Sequence, residues 1–314
     1  MAPSHRFDSR SLRAALALVT ALLLAVAVAA PGLAAPPGPS RIDLPDGWAP
    51  EGITAGPGTT VYVGSLQAQG IYQADVRTGE GSVIEGTEGT FGVGVEYDAA
   101  ANRIWVAGGP TGQVKVLDAS SGELLETYTF SPAGFLNDLV VTNDAVYVAD
   151  SSFGWLDVIP LGPDGALPDP ADAFMLPLSD NFELVGTFNL NGIVEARGWL
   201  IAVQTEAGKL WRIDPATGDA TEIELPSGVN VAFGDGLEVH GKWLYVVQNQ
   251  LQRVEVFALG PGLTAASLVT TLTADPDDLD VPTTGAWIAG GFYVVNARFG
   301  TPPAGASYWI QRLS

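Results

Sequence analysis

The 314-residue chain contains no cysteine, only two histidines and few basic side chains. Without cysteine it has no disulfide framework, no thiol nucleophile and no thiolate metal site. Lys and Arg total 14 against 35 Asp and Glu, which gives a formal net charge of −21. Because such a surface repels phosphate groups, we expect no nucleic acid and no anionic membrane among its partners.

Long apolar runs are also scarce, and the one that stands out lies near the N-terminus. Three arginines precede an apolar run of 17 residues from Ala14 to Ala30, and a stretch rich in Ala, Pro and Gly follows. This order is typical of a secretory signal peptide, and the run is short for a membrane-spanning helix. We therefore predict a signal peptide over residues 1–34. The mature protein is then expected to be secreted, with no stable membrane span.

The remaining chain has almost no helical pattern but repeats one pattern six times. Each copy has a leading residue, an alternating apolar strand, a turn and a second, continuous apolar strand. The leading residues, 42 to 54 positions apart, are Glu51, Val93, Asn137, Asn191, Asp235 and Thr284. A repeat of this length built from short strands predicts a β-propeller with about four strands per blade. We predict an all-β fold, with one six-bladed β-propeller over residues 35–314.

The two ends of the chain are expected to share the last blade. The sixth repeat lacks an outer strand because the sequence ends at Ser314, after a third strand. The segment Arg41–Pro45 (RIDLP) resembles the outer strand predicted at Glu222–Pro226 (EIELP). We therefore predict that the N-terminal segment completes the last blade, which would leave no long edge unpaired.

The leading residues are the candidates for chemistry. The first strand of every propeller blade lines the central channel, so side chains at the same phase should meet at one end of it. Four of the six are Glu, Asn or Asp, with carboxylate or amide oxygens, namely Glu51, Asn137, Asn191 and Asp235. Carboxylate and amide oxygens favour Ca²⁺ or another hard divalent cation. The alternative is that these polar residues only cap strands or bind channel water.

These residues stand in short motifs that resemble a known family. The motifs are Glu51-Gly52, Asn137-Asp138, Asn191-Gly192 and Asp235-Gly236. From about Arg41 to the end, the chain resembles the SMP-30/gluconolactonase/LRE-like family of six-bladed, calcium-dependent hydrolases. The resemblance implies metal ligation by Glu51, Asn191 and Asp235, with Asn137 contacting substrate or metal. It further implies a secreted Ca²⁺-dependent hydrolase that acts on a small molecule, a lactone or related ester.

Two features bear on the reaction and the substrate. A carboxylate beside the metal can take a proton from water, which makes Asp235 the candidate general base. Sugar-lactonase members of the family carry an arginine two residues before the blade-three asparagine, where this chain has Phe135. The aromatic residues near the ring either form the wall of an apolar pocket or belong to the core between blades. They are Trp48, Phe91, Phe135, Phe188 and Phe233.

Two other functions remain open at this stage. One is a non-catalytic secreted propeller that binds a partner and holds a structural ion, because a fold does not fix an activity. The other is a condensing enzyme with a related six-bladed fold, similar to strictosidine synthase. Such an enzyme would need a glutamate in the channel, and Glu183 or Glu195 would have to serve. His240 is predicted to be an exposed turn residue, and no GxSxG motif supports a serine nucleophile.

Overall fold

Six four-stranded antiparallel sheets, each forming one blade, account for the 24 strands of the computed structural model. The structure describes residues 38–132, 134–276 and 278–314. The predicted signal peptide lies outside the described residues. The prediction of an all-β, six-bladed propeller is confirmed.

The first three blades follow one another along the chain after a single N-terminal strand, β1 (Arg41–Leu44). Blade 1 contains β2 (Ile53–Ala55), β3 (Thr60–Val63), β4 (Tyr72–Asp75) and β5 (Gly81–Val83). Blade 2 contains β6 (Val95–Asp98), β7 (Arg103–Ala107), β8 (Gln113–Asp118) and β9 (Leu124–Thr129). Blade 3 contains β10 (Leu136–Val141), β11 (Ala145–Asp150), β12 (Trp155–Pro160) and β13 (Phe174–Pro177).

The last three blades repeat this order. Blade 4 contains β14 (Leu190–Ala196), β15 (Trp199–Gln204), β16 (Lys209–Ile213) and β17 (Ala220–Glu222). Blade 5 contains β18 (Gly234–His240), β19 (Trp243–Gln248), β20 (Arg253–Leu259) and β21 (Ala266–Leu272). Blade 6 contributes β22 (Pro282–Ile288), β23 (Gly291–Asn296) and β24 (Tyr308–Arg312). Short 3-10 helices occur at Pro163–Gly165, Pro170–Asp172 and Asn249–Leu251.

The outer strand of blade 6 is β1, from the other end of the described chain. It pairs antiparallel with β24, with Arg41 opposite Gln311 and Leu44 opposite Tyr308. Its side chains alternate between exposed and buried, and Ile42 and Leu44 point into the core between blades 6 and 1. Alternation with period two is what a strand covered on one face requires.

The core lies between neighbouring blades. Each of the six buried apolar clusters in the described residues joins one sheet to the next around the ring. The second strands are buried along almost their whole length, as in β11 and β23. Apolar side chains on both faces of these strands therefore pack against two different blades. The described residues contain no helix that is long and apolar enough to cross a membrane.

Candidate functional site

Four of the six first strands carry a β-bulge at the same place. The pairing with the second strand shifts between Leu136 and Leu139, Leu190 and Ile193, Gly234 and Leu237, and Pro282 and Gly285. A bulge inserts an unpaired residue and redirects its side chain, and bulges are frequent beside active sites. In blades 3, 4 and 5 the first residue of the bulge is the predicted ring residue, namely Asn137, Asn191 or Asp235.

This register corrects two details of the sequence alignment. Asn137, Asn191 and Asp235 lie inside their strands rather than just before them. In blade 6 the equivalent residue is Thr283, not Thr284, because Pro282 matches Gly234 of blade 5 in the strand pairing. The Thr283 hydroxyl donates to the backbone oxygen of Glu51 at 2.7 Å, which links blade 6 to blade 1. Thr283 therefore has a structural role in the ring.

Asp235 is the most constrained side chain of the ring. It is 2% exposed, and its Oδ2 accepts a hydrogen bond from Asn249 Nδ2 at 2.7 Å. Its Oδ1 is buried without a well-aligned hydrogen bond among the described residues, although the side chains of Glu51 and Asn191 interact with the carboxylate. A buried carboxylate oxygen without a donor is costly, and such atoms occur where an ion or a substrate binds.

Glu51 lies beside Asp235 and is almost as buried, at 6% exposed. Burial raises the pKa of Glu51 well above its usual range, and the charges of Asp235 and Asp138 raise it further. Burial also raises the pKa of Asp235, while the hydrogen bond from Asn249 opposes that shift. Two buried carboxyls in contact cannot both carry a charge without compensation, so they either share a proton or bind a cation.

The two ring asparagines complete the set of oxygen donors. The Asn191 side chain neighbours Asp235 and helps to hold its charged form. Asn137 donates through Nδ2 to Ser151 Oγ at 2.9 Å, and Ser151 Oγ donates to the Leu190 backbone oxygen at 2.6 Å. This chain fixes the Asn137 amide and leaves its carbonyl oxygen as an acceptor.

The structure thus places Glu51, Asn191 and Asp235 together, with Asn137 in the neighbouring blade at the same level. No three acidic or histidine side chains among the described residues converge as a set of metal ligands. A cation at this end of the channel would therefore need the amide oxygens as well as the two carboxylates. Such a mixed oxygen set suits Ca²⁺.

The glycine that follows the ring position in three of the motifs is required by close packing between first strands. A Cβ on Gly52 would lie 2.3 Å from the Val93 backbone oxygen, and one on Gly192 would lie 2.3 Å from that of Asp235. Neighbouring first strands approach too closely here for any side chain. Asp138 occupies the same phase in blade 3, where its Oδ1 accepts from Leu139 N and its Oδ2 from Ile193 N. It therefore ties blade 3 to blade 4.

Two further acidic side chains lie deeper in the channel, and the sequence analysis missed both. Glu96 and Glu238 line a cavity of about 150 Å³ together with Asp138 and Thr54. Burial raises the pKa of Glu96 to about 8 and that of Glu238 to about 7. Both follow the ring position by three residues, so the repeat itself could have revealed them.

Asn249 and Ser151 were also missed, although they share a phase. Each stands just past the end of a second strand and contacts the ring residue of its own blade, Ser151 with Asn137 and Asn249 with Asp235. Thr205 holds this position in blade 4, where its hydroxyl donates to the Gly234 backbone oxygen at 2.6 Å. A polar residue at the end of the second strand was the available signal.

The aromatic residues near the ring divide between pocket and core. Trp48 belongs to the core, since it is fully buried and its Nε1 donates to Gly64 O at 2.8 Å. Phe188 and Phe233 are 42% and 47% exposed in loops that lead into first strands. Phe135 packs edge-to-face against Phe188, with ring centroids 5.5 Å apart.

The backbone of the loop that carries Phe188 is held by Glu206. The Glu206 carboxylate accepts hydrogen bonds from the backbone N–H groups of Thr187 and Phe188, each at 3.0 Å. The same bonds lower the pKa of Glu206. Phe91 and Phe135 are partly buried and both border Gly109. We name Phe91, Phe135, Phe188 and Phe233 the aromatic rim.

The remaining candidates lie away from the ring. His240 ends β18 and stacks on Trp287, with ring centroids 4.5 Å apart. It is exposed, as predicted for a turn residue. Glu183 is exposed in a loop, and Glu195 is exposed and lines the cavity at the end of the channel opposite the ring.

A cavity of about 940 Å³ opens at the other end of the channel. It is larger than the channel cavity, but its main charged pair is already satisfied. Arg103 and Asp98 form a buried ion pair at 2.6 Å, and Asp98 also accepts from two backbone N–H groups. The unpartnered oxygen of Asp235 lies at the ring end, which makes that end the better candidate.

Comparison with known proteins supports the fold alone. No family model matches the sequence, and no curated protein matches it. The solved structure of the allergen Mala s 1 from Malassezia sympodialis has a TM-score of 0.67 at 14% identity, covering 88% of this chain and 96% of that one. A streptogramin B lyase has a TM-score of 0.56 at 13% identity, covering 87% and 96%.

A virginiamycin B lyase from Staphylococcus aureus is similar to the same degree, with a TM-score of 0.55 at 12% identity. The alignment covers 87% of this chain and 98% of the lyase chain. The fold of this chain is therefore similar to the folds of an allergen and of two lyases. Identities this low carry no activity from one protein to another.

Proposed function

We propose that this chain is a secreted, Ca²⁺-dependent hydrolase of lactones or related esters, similar to the SMP-30/gluconolactonase/LRE-like family. The observation that carries the proposal is the unpartnered Oδ1 of Asp235, buried beside Glu51 and Asn191. The donor set fits a hard divalent cation because it contains two carboxylates and amide oxygens only. When bound there, a divalent cation supplies a Lewis acid that polarises a substrate carbonyl and acidifies water.

The residues around this position divide the remaining tasks. Asn249 fixes Oδ2 of Asp235, which leaves Oδ1 for the cation or for a proton taken from water. Burial raises the pKa of Asp235, whereas a cation bound beside it would favour the charged carboxylate, which could then accept a proton from water. Asn137, held by Ser151, presents a fixed amide for orienting a substrate oxygen.

The aromatic rim sets the expected substrate. The four phenylalanines of the rim each stand two or three residues before a ring position of blades 2 to 5, and Phe188 and Phe233 present large exposed faces. Phe135 occupies the position of the arginine found in sugar-lactonase members. A rim of this kind favours a substrate with an apolar chain, because burying apolar area contributes about 25 cal/mol per Å². We therefore propose an alkyl or aryl lactone or ester rather than a sugar lactone.

The similar lyases suggest a different reaction, which this chain is poorly equipped to perform. A solved virginiamycin B lyase variant with quinupristin is catalytically inactive after replacement of a histidine by alanine. The described residues here include a single histidine, His240, which lies five strand residues from Asp235, or about 17 Å away. A histidine-dependent reaction at the ring is therefore not favoured.

The second candidate is a non-catalytic secreted propeller whose ion is structural. The close packing of Gly52 and Gly192 against neighbouring strands favours it, because a cation at the ring would also hold blades together. The two candidates make different predictions about turnover and the same prediction about calcium.

The deciding experiment measures hydrolysis by the purified protein across lactones and aryl esters of graded chain length, with calcium or with a chelator. We expect calcium-dependent turnover that increases with the length of the apolar chain. The variants E51Q and D235N should lose both calcium binding and turnover. Gln250→Ala is the matched control, because it removes an exposed side chain next to Asn249.

The outcomes separate the candidates. Calcium binding that depends on Glu51 and Asp235, without turnover of any substrate, would favour the non-catalytic propeller with a structural ion. Turnover that survives in E51Q and D235N after their calcium binding is lost would overturn the hydrolase proposal.

A further inference from the structure

A second pair of buried acids lies in blade 3, outside the ring. Asp150 ends β11 and Asp157 lies in β12, and both are 1% exposed. Oδ2 of Asp150 and both carboxylate oxygens of Asp157 are buried without a hydrogen-bond partner among the described residues. Three unpartnered carboxylate oxygens in one buried place are a large cost for a folded protein.

The other blades show what this position normally contains. The strand register matches Asp150 to the last residue of the second strand, and Asp157 to the third-strand residue that faces the position two residues before it, which is Val148 in blade 3. In blade 4 the pair is Gln204 and Trp211, and the indole donates to the glutamine oxygen at 3.0 Å. That pair is neutral and satisfies itself.

Blade 5 carries a negative charge at this position together with its own cation. Glu255 matches Asp157, and Arg253 contacts it at 3.1 Å while donating to Gln248 Oε1 at 2.8 Å. Thr271 donates to the second oxygen of Glu255 at 2.8 Å. The acid of blade 5 is therefore neutralised within the blade.

Blade 3 has one more acid than blade 5 and no cation. The residue that matches Arg253 is Trp155, which lies beside Asp157 and stacks on Phe153. Burial and the charge of Asp150 together raise the pKa of Asp157 to about 7, and the Trp155 side chain, whose buried Nε1 forms no well-aligned hydrogen bond, opposes the shift. The charge that Arg253 supplies in blade 5 is missing among the described residues around this pair.

The backbone just before β10 packs closely against Asp150. Asp150 Oδ1 is already used, since it accepts from Phe135 N at 3.1 Å and Ser152 N at 2.8 Å. Residue 134 is a glycine, and a Cβ there would lie 2.1 Å from Asp150 Oδ2. Only glycine fits this close to the carboxylate, so no side chain at position 134 shields its unpartnered oxygen.

We propose that Asp150 and Asp157 form a second cation site, which binds a calcium-type divalent ion between blades 2 and 3. Two carboxylates balance the charge of such an ion, and its preference for oxygen matches the three unpartnered atoms. Because Asp150 also holds the backbone of Phe135, the site anchors one side of the aromatic rim. It is separate from the ring and does not depend on the proposed hydrolysis.

Terbium luminescence tests this site directly, because Tb³⁺ replaces Ca²⁺ and is sensitised by a nearby indole. The experiment uses a background with E51Q and D235N, in which the ring has lost both carboxylates. We expect tryptophan-sensitised emission that calcium displaces. Asp157→Asn should abolish it by removing the ligand, and Trp155→Phe should abolish it by removing the sensitiser.

Asp144→Asn is the matched control, since it removes an exposed carboxylate from the same blade and should leave the emission unchanged. A second readout is the increase in melting temperature on adding calcium, which W155F should retain and D157N should lose. Absence of emission together with absence of a calcium-dependent shift in the background protein would overturn the site. The site would also be overturned if D157N retained both the terbium emission and the calcium-dependent shift in melting temperature. A shared proton would then be the means by which the acid pair is neutralised.

Discussion

At the scale of single residues, the candidate site depends on how each carboxylate oxygen is used. Asp235 has one oxygen fixed by Asn249 and one without a partner, whereas Asp138 has both oxygens bonded to backbone N–H groups. The two neighbours in the channel therefore differ in function. Asp138 is a structural link between blades, and Asp235 is the residue with a free position for a ligand.

Asn249 is predicted to position Asp235. Replacing it with alanine removes the 2.7 Å hydrogen bond to Oδ2 and so frees the carboxylate to rotate. Loss of such a supporting bond typically weakens metal binding by about 10–100-fold. Calcium titration of N249A should show this loss, and Gln250→Ala should bind as the wild type does. An unchanged calcium affinity in N249A would show that Asp235 is positioned without it.

Phe233 tests whether the aromatic rim is held under strain. It has φ of 57°, a left-handed conformation that costs a side-chain-bearing residue about 1–2 kcal/mol. Phe233→Gly should therefore be more stable than Phe233→Ala by about 1 kcal/mol, as measured by urea unfolding. Both variants should turn over apolar substrates less well, because both lose the exposed ring.

Phe188 provides the control, since it is equally exposed but has an ordinary backbone conformation. There the order should reverse, with the glycine variant less stable than the alanine variant by about 0.4–1 kcal/mol. The same order at both positions would contradict the strain argument.

At the scale of strands and blades, the bulges matter most. They turn the side chains of Asn137, Asn191 and Asp235 out of the regular alternation at the ring end of the channel. In blade 6 the bulged position holds Thr283, which bonds the backbone of blade 1. The same local irregularity therefore serves ligand binding in some blades and assembly in another.

The bulges also mark the limit of what the sequence predicts about the site. Repeat length and apolar alternation predict the six blades, and aligning the repeats identifies Glu51, Asn137, Asn191 and Asp235. A bulge leaves no mark in the sequence, so two adjacent threonines in blade 6 could not be told apart. The acid pair in blade 3 was missed because it becomes unusual only when the strand register shows what the other blades place there.

The outer strand β1 gives a prediction at this scale. Ile42 is 2% exposed and packs with blade 1 as well as blade 6, so Ile42→Ala should lower the free energy of unfolding by about 2–5 kcal/mol. Asp43→Ala should change it by at most about 0.5 kcal/mol, because its ion pair with Arg41 is exposed. Urea unfolding of both variants measures the difference. Equal effects would mean that β1 contributes little to the stability of blade 6.

At the scale of the whole molecule, negative charge extends along the channel. Burial raises the pKa of Glu51, Asp235, Glu96 and Glu238, and the charge of Asp138 adds to each shift. A net charge of −21 adds to this, since the basic residues are too few to balance it. The channel therefore favours bound cations and protons over free carboxylates.

Stability should accordingly depend on pH through the channel acids. Burial and the facing charges of Glu238, Asp138 and Asp98, opposed by the Thr54 hydroxyl, together raise the pKa of Glu96 to about 8. The folded state then holds more protons than the unfolded chain between about pH 4.5 and pH 8, so the free energy of unfolding falls as pH rises across that window. The slope is at most about 1.4 kcal/mol per pH unit for each proton.

Glu96→Gln isolates this contribution. The amide oxygen of glutamine can still accept from Thr54 Oγ1, which donates to Glu96 at 3.0 Å, but glutamine carries no charge at high pH. Urea unfolding at several pH values, in the presence of a chelator, should show a shallower slope for E96Q than for the wild type, with the largest gain in stability near pH 8. Glu123→Gln, which removes an exposed carboxylate from the same blade, should leave the slope unchanged. A wild-type stability that rises from pH 5 to pH 8 would contradict a channel whose carboxyls hold their protons, because charged carboxylates would then be the favoured folded form.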